Sequence, residues 1–346
     1  MNNKVLITGI TGQDGAYLAR DLIEKGYQVF GAVRRGSTPK TERLRYLGLI
    51  DKINFIGLEI TEFSNVLYTL SDLKPRYIYN LAAQSFVADS FQHPQLTTNV
   101  NYLGVLNILE SMKISGIDCD LYQASTSEMY GEVLTDPQDE LTPFNPMSPY
   151  AIAKCAAHYL IINYRKAYGM RASSGILFNH ESELRGREFV TRKITTKLSE
   201  IKYGNSGALQ LGNMSSVRDW GYAPDYVKGM QQICEAKTKD DYVMATNRVV
   251  SVRDFLSLAS IGFGFDPVFD GEGLSEKCID KKSGIVLAEV SKKYFRPSDV
   301  NYLRGDYKKI KKALGWQPTT TLEEMIYKMV SFDSDFYIGK GHKVVV

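Results

Sequence analysis

Residues 4–19 read KVLITGITGQDGAYLA, and this stretch decides the architecture. An apolar run over Val5–Ile7 has the composition of a buried strand, and AYLARDLIEKG (16–26) has the apolar spacing of a helix. Between them stand Gly9, Gly12 and Gly15. Gly9 and Gly12 let the backbone turn tightly and approach a pyrophosphate. Gly15 permits close helix packing, and the helix start offers unpaired N–H groups and a positive dipole end to the anion. A glycine-rich turn that binds nothing is the bland alternative. Strand, glycines and helix in register favour a dinucleotide site.

Working outward, the same rhythm recurs in YQVFGAVRR (27–35), INFIGLEI (53–60), FSNVLYTLSDL (63–73), YIYNLAA (77–83) and DLYQAS (120–125). Such βαβ units predict an α/β fold with a doubly wound parallel (Rossmann) sheet, whose ligands bind at the carboxyl ends of the strands. From Asn179 the pattern loosens, with helix-like DFLSLASIG and LEEMIYKMVSF among irregular stretches and a loosely attached tail after Asp335. The expected division is a dinucleotide-binding domain over 1–178 that carries the catalytic groups. A smaller mixed α/β substrate domain follows over 179–346, with some segments returning to the first.

Bulk properties exclude several classes. The 346 residues carry 42 basic and 39 acidic side chains, a net charge of +3 that implies no nucleic-acid or membrane surface. Cys119, Cys155, Cys234 and Cys278 are scattered, and no histidine has metal-ligand spacing beside them, so reduced thiols and no metal are expected. MNNKVLITG runs straight into a strand, and no stretch reaches the ~20 apolar residues of a membrane span. A cytoplasmic location is the resulting expectation.

The second strand ends in Arg34 and Arg35, where a site for NAD normally carries an acidic residue. Two guanidinium groups can clasp a 2′-phosphate, so NADP is the inferred cofactor; solvent-facing arginines are the alternative. Two more segments bring chemistry. QASTSEMYG places Ser125, Thr126, Ser127 and Glu128 just after a strand, and SPYAIAKCAAHYL sets Tyr150 four residues before Lys154. On a helix those two share a face, so the ammonium is expected to lower the phenol pKa and make Tyr150 a general base. A Tyr-x-x-x-Lys alone means little; beside the glycine loop and the Ser-Thr-Ser-Glu turn it carries weight.

These motifs, with NLAAQS, FNHES, FVTRKI, LGN, RDWGYAPDYV, SVRDF, YFRPSDVNYL and LGWQP, resemble the GDP-mannose 4,6-dehydratase family of extended short-chain dehydrogenases/reductases along nearly the whole chain. The resemblance implies internal redox catalysis. Tyr150 would take the proton of the sugar 4-hydroxyl and Thr126 would hydrogen-bond the 4-oxygen. Glu128 would remove the carbon-5 proton and help the 6-hydroxyl leave as water, while Lys154 holds the cofactor ribose. It further implies cofactor contacts at Gly9, Thr11, Gly12, Gln13, Asp14, Gly15, Arg34, Arg35, Arg43, Leu81, Ala82 and Gln84, besides Tyr150 and Lys154. Substrate contacts would come from Ser85, Asn179, Val190, Lys193, Arg218 and Arg296, the two arginines clamping the diphosphate. The polar loop from Arg35 to Arg43 would reach a neighbouring subunit, so a homotetramer, or at least a homodimer, is expected.

Several positions depart from the family pattern. Phe86 and Val250 stand where histidines are usual, Glu183 and Leu184 replace proline and arginine, Arg187 replaces glutamate, and Glu59 replaces aspartate. Such changes suggest a different sugar surface, which leaves a GDP-D-glycero-manno-heptose 4,6-dehydratase of the same chemistry as an alternative. A sugar-nucleotide 4-epimerase or dehydrogenase would not require Glu128. A nonenzymatic NADP-binding regulator would require none of the four catalytic residues.

Overall fold

The computed structural model describes residues 2–34, 40–133, 135–204, 207–294 and 302–339. The first half runs β1 (Lys4–Thr8), α1 (Gln13–Glu24), β2 (Gln28–Val33), α2 (Glu42–Tyr46), β3 (Asn54–Gly57), α3 (Phe63–Leu73), β4 (Tyr77–Asn80), α4 (Val87–Gln92), α5 (Pro94–Thr98), α6 (Gly104–Ser115), β5 (Asp120–Thr126), α7 (Pro149–Tyr168) and β6 (Ala172–Leu177). The second half supplies β7 (Asn179–Glu181), α8 (Val190–Tyr203), β8 (Leu209–Leu211), β9 (Val217–Tyr222), α9 (Ala223–Glu235), β10 (Asp241–Met244), β11 (Val249–Ser251), α10 (Val252–Gly262), β12 (Pro267–Asp270), β13 (Lys277–Asp280), β14 (Val286–Val290), α11 (Lys308–Leu314) and α12 (Leu322–Tyr337).

Seven strands form one parallel sheet in the order β10-β6-β5-β4-β1-β2-β3. The order reverses between β1 and β4, which opens a crevice at their carboxyl ends. β10 is the returning segment that the sequence leaves unspecified. It pairs with β6, and α9 packs beside it over β5 and β6. The remaining strands build a three-stranded sheet, β11-β9-β7, and a four-stranded one, β12-β13-β14-β8. Their core is Ile194, Leu198, Trp220, Phe255 and Met329 with their neighbours. Among the described residues no helix is long and apolar enough to cross a membrane.

Two local features set the site. α7 starts at a strong signal: the Ser148 hydroxyl accepts from the Ala151 N–H at 3.1 Å, and Pro149 occupies the first turn, where its missing N–H costs nothing. Gly169 closes that helix in the left-handed region. Between α5 and α6 the chain makes a π turn over Asn99–Leu103, a geometry that inserts an extra residue and is frequent at functional sites.

Candidate active site

The glycine loop has the shape a pyrophosphate needs. Gly9 has φ +70°, and a Cβ there would lie 2.8 Å from the Leu81 carbonyl carbon; one on Gly15 would lie 2.4 Å from the Gly9 oxygen. Only glycines admit this approach of β1, α1 and the segment after β4. Thr8 holds that segment, its hydroxyl accepting from the Leu81 and Ala82 N–H groups at 3.1 Å each. The resulting groove, of about 520 Å3, is lined by Gly9, Thr11, Gly12, Arg34, Leu81, Ala82, Gln84 and Ser85, with Glu59 also on its wall. Its residues thus fit a dinucleotide: a glycine cradle at a helix start, and an arginine at the end of β2. Asn101 of the π turn locks Gln84 through paired 2.9 Å bonds between its amide and the Gln84 backbone.

A second cleft of about 480 Å3 is lined by Phe86, Asn179, Arg187, Glu188, Val190, Lys193, Arg218 and Tyr294, among others. Lys193 donates to the Gln210 carbonyl at 2.6 Å and lies 3.8 Å from the Tyr294 ring centroid. The two clefts meet around residues 84–86. Ser85, expected on the sugar side, lies on the wall of the first cleft.

The catalytic candidates come from the carboxyl end of β5, the turn after it and the first two turns of α7. β5 pairs on one side with β4, which leads to Leu81 and Ala82, and on the other with β6, which leads to Asn179. Tyr150 is the second residue of α7, one turn before Lys154, and both are buried. Thr126 is hydrogen-bonded to Tyr150 and accepts from the Glu128 N–H at 3.3 Å. Lys154 Nζ donates to the Ala124 carbonyl at 2.9 Å and stands 6.0 Å from the Tyr150 ring centroid.

One electrostatic expectation needs correction. Burial pushes the Tyr150 phenol up to about 12, with the nearby Glu128 adding to it; the groups opposing the rise are the Thr126 hydroxyl and the Arg185 guanidinium, not Lys154. Lys154 is itself pulled down to about 8 by burial. Its ammonium, 6.0 Å from the ring centroid, gives one of its N–H groups to the Ala124 carbonyl.

Arg185 and His180, which act on Tyr150 and Asp14, were not singled out in the sequence, although His180 stands within FNHES and Arg185 three residues beyond it. The Arg185 guanidinium stacks over Phe189 at 3.6 Å from the centroid and pairs with Glu181 at 3.3 Å. Burial disfavours charge on His180, but the Asp14 carboxylate and the Phe178 carbonyl more than offset it and raise its pKa. The side chains of three other expected contacts have hydrogen-bond partners within the protein. Gln13 and Asp14 turn toward residues 180–182. Arg43 bridges the Leu184 and Thr11 carbonyls at 2.7 and 3.1 Å. Arg35 and Arg296 lie outside the described residues. Of the departures, Phe86 and Arg187 line the second cleft, whereas Leu184 is 0% exposed in the core and Glu183 accepts from the Tyr17 hydroxyl at 2.7 Å.

A switch-point groove with a glycine cradle, beside a Tyr-x-x-x-Lys pair and a Thr/Glu turn, defines an extended short-chain dehydrogenase/reductase. The fold agrees with a UDP-glucose 4-epimerase from Thermotoga maritima (TM-score 0.80, 25% identity, 95% of this chain and 97% of that one). It also agrees with a dTDP-glucose 4,6-dehydratase from Streptomyces venezuelae with NAD bound (TM-score 0.82, 20% identity, 99% of each chain). A family profile described as GDP-mannose 4,6 dehydratase matches residues 6–329. A GDP-mannose 4,6-dehydratase from Vibrio cholerae is 44% identical over all of this chain and 97% of its own length, and the human enzyme is 42% identical over 96% and 91%. The chain belongs to the GDP-mannose 4,6-dehydratase family.

Proposed function

We propose that the protein is an NADP-dependent GDP-mannose 4,6-dehydratase, a hydro-lyase that converts the sugar to its 4-keto-6-deoxy form with loss of one water. The observation that carries this is the grouping of Thr126, Glu128, Tyr150 and Lys154 at the carboxyl end of β5, whose neighbours β4 and β6 lead to residues of the first and second cleft. When bound, the nicotinamide supplies hydride chemistry, accepting from carbon 4 and returning to carbon 6, so no outside reductant is consumed. Tyr150 takes the 4-hydroxyl proton; its place in the first turn of α7 puts the positive end of the helix dipole on the side of phenolate. Thr126 orients both the phenol and the 4-oxygen. The 4-ketone acidifies the proton on carbon 5, which Glu128 removes and then delivers to the departing 6-hydroxyl, and a solvent-derived proton replaces it on carbon 5. Lys154, anchored at the end of β5, presents its remaining N–H groups to the cofactor ribose.

NADP is inferred over NAD from Arg34 on the wall of the first cleft. Arg34→Asp should weaken NADP more than NAD by roughly ten-fold or more, as expected for one lost charge-assisted bond; equal effects in titrations of both cofactors would contradict the assignment. Asn179, Val190, Lys193 and Arg218 hold the nucleotide in the second cleft. GDP-D-glycero-manno-heptose is a second substrate reading, favoured by Phe86 and Arg187 on that wall. We also infer a cytoplasmic homotetramer or homodimer. Ile152 and Tyr159 on α7, with Leu103 and Ile114 at either end of α6, leave large apolar side chains exposed for another copy.

The test is incubation with GDP-mannose and, separately, the heptose compound, without reductant, following loss of one water by mass spectrometry in D2O. Dehydration with one solvent deuterium at carbon 5 is expected, and Glu128→Gln should slow it by roughly 10²–10⁴. Full turnover by that variant would refute the assigned base; a higher kcat/KM for the heptose would transfer the substrate assignment.

A further inference from the structure

Gln13 and Asp14 follow Gly12 in the loop, yet neither lines the dinucleotide groove. Gln13 donates through Nε2 to the His180 carbonyl at 3.1 Å, and its Oε1 accepts from the Ser182 hydroxyl at 2.7 Å. His180 Nε2 meets Asp14 Oδ2 at 2.8 Å, and His180 Nδ1 meets the Phe178 carbonyl at 2.7 Å. A carbonyl and an ionised carboxylate only accept, so this geometry favours a ring with hydrogen on both nitrogens, an imidazolium. It stacks on Tyr226 with centroids 4.6 Å apart and planes at 16°. Three polar contacts therefore bind the start of α1 to β7 and Ser182, across 166 to 169 residues of chain.

What these contacts join is functionally asymmetric. On one side is Gly12, a wall of the dinucleotide groove. On the other, Asn179 is the residue next to His180 and lines the second cleft, while Arg185, three residues past Ser182, acts on the Tyr150 phenol. We propose that Gln13, Asp14, His180 and Ser182 form a latch of positioning residues that couples dinucleotide binding to GDP-sugar binding. The inference rests on the functional reading above, which assigns those ligands to the two clefts. A ligand that orders the glycine loop fixes β7 through the latch, so the second ligand meets a strand already held and loses less conformational entropy. The coupling must be reciprocal, each ligand raising the affinity of the other by the same factor.

Calorimetric titration of GDP with and without saturating NADP+, and the converse, measures that factor. In the unaltered protein it should be on the order of five-fold or more. Ser182→Ala removes one hydroxyl of the latch and should bring the factor toward one while leaving the affinity for NADP+ alone nearly unchanged. Asp14→Asn, which removes the partner charge of the imidazolium, should likewise bring the factor toward one. Where Asp14→Asn does not fold, Ser182→Ala carries the test. A factor of one in the unaltered protein, or an undiminished factor in Ser182→Ala, would overturn the latch while leaving the functional reading intact. Failure of the unaltered protein to bind either ligand would overturn both.

Discussion

Lys154 is a cation held where charge is costly. It is 3% exposed, and burial brings its pKa from 10.5 to about 8. Each pKa unit corresponds to about 1.4 kcal/mol, so keeping it protonated in the folded chain costs on the order of 3 kcal/mol at neutral pH. Between about pH 8 and 10.5 the unfolded chain binds the extra proton, so this residue makes stability rise with pH across that window and adds no slope above it. Lys154→Met should raise the melting temperature at pH 7, flatten the slope between pH 8 and 10.5, and abolish turnover; thermal melts of both proteins across that range check it. The Tyr150–Lys154 pair was legible because four residues along a helix fix a shared face. His180 and Arg185 were not, since their importance comes from Asp14 and Tyr150, partners that no spacing rule connects to them.

At the scale of elements, α7 carries Tyr150 and Lys154, on which the proposed chemistry depends, and its start is fixed by one hydroxyl. Ser148→Ala removes the cap on the Ala151 N–H and should lower stability by about 1 kcal/mol. Because Tyr150 lies in that first turn, kcat should fall further than KM changes; steady-state kinetics beside a urea melt separates the two effects. Fraying that shifted only the melt would place Tyr150 under the control of its neighbours instead. The strands from β1 to β5 were readable from β-branched and aromatic runs flanked by turn residues. β10 was not: the four residues DYVM carry no more signal than a loop, and only pairing with β6 makes them a strand. The π turn at Asn99–Leu103 has no compositional signature either, although it holds Gln84 in place.

For the molecule as a whole, the apolar residues exposed on α6 and α7 frame the question of assembly. Sedimentation at micromolar concentration should show a species of two or four chains, and a fully active monomer would refute it. Mapping the family departures onto the structure also divides them in a way the sequence could not. Leu184 and Val250 are interior, at 0% and 8% exposure, so substrate preference should respond to Phe86→His and leave Leu184 unmoved. Burial is a property of the assembled chain, and adjacent letters such as Glu183 and Leu184 carry no hint that one meets a phenol and the other a core.

The return of β10 has a consequence for how the protein is made. The seven-stranded sheet cannot be completed until residues through Met244 have left the ribosome, because β10 and α9 come from the second half of the chain. Until then β6, paired with β5 on one side, leaves its other edge open, the kind of surface on which nascent chains associate with one another. The glycine loop emerges first, yet it waits for more than two hundred further residues before its sheet is complete. Slow synthesis or a stop before that point would yield an insoluble product, and a chaperone that shields the β6 edge would have its greatest effect during that interval.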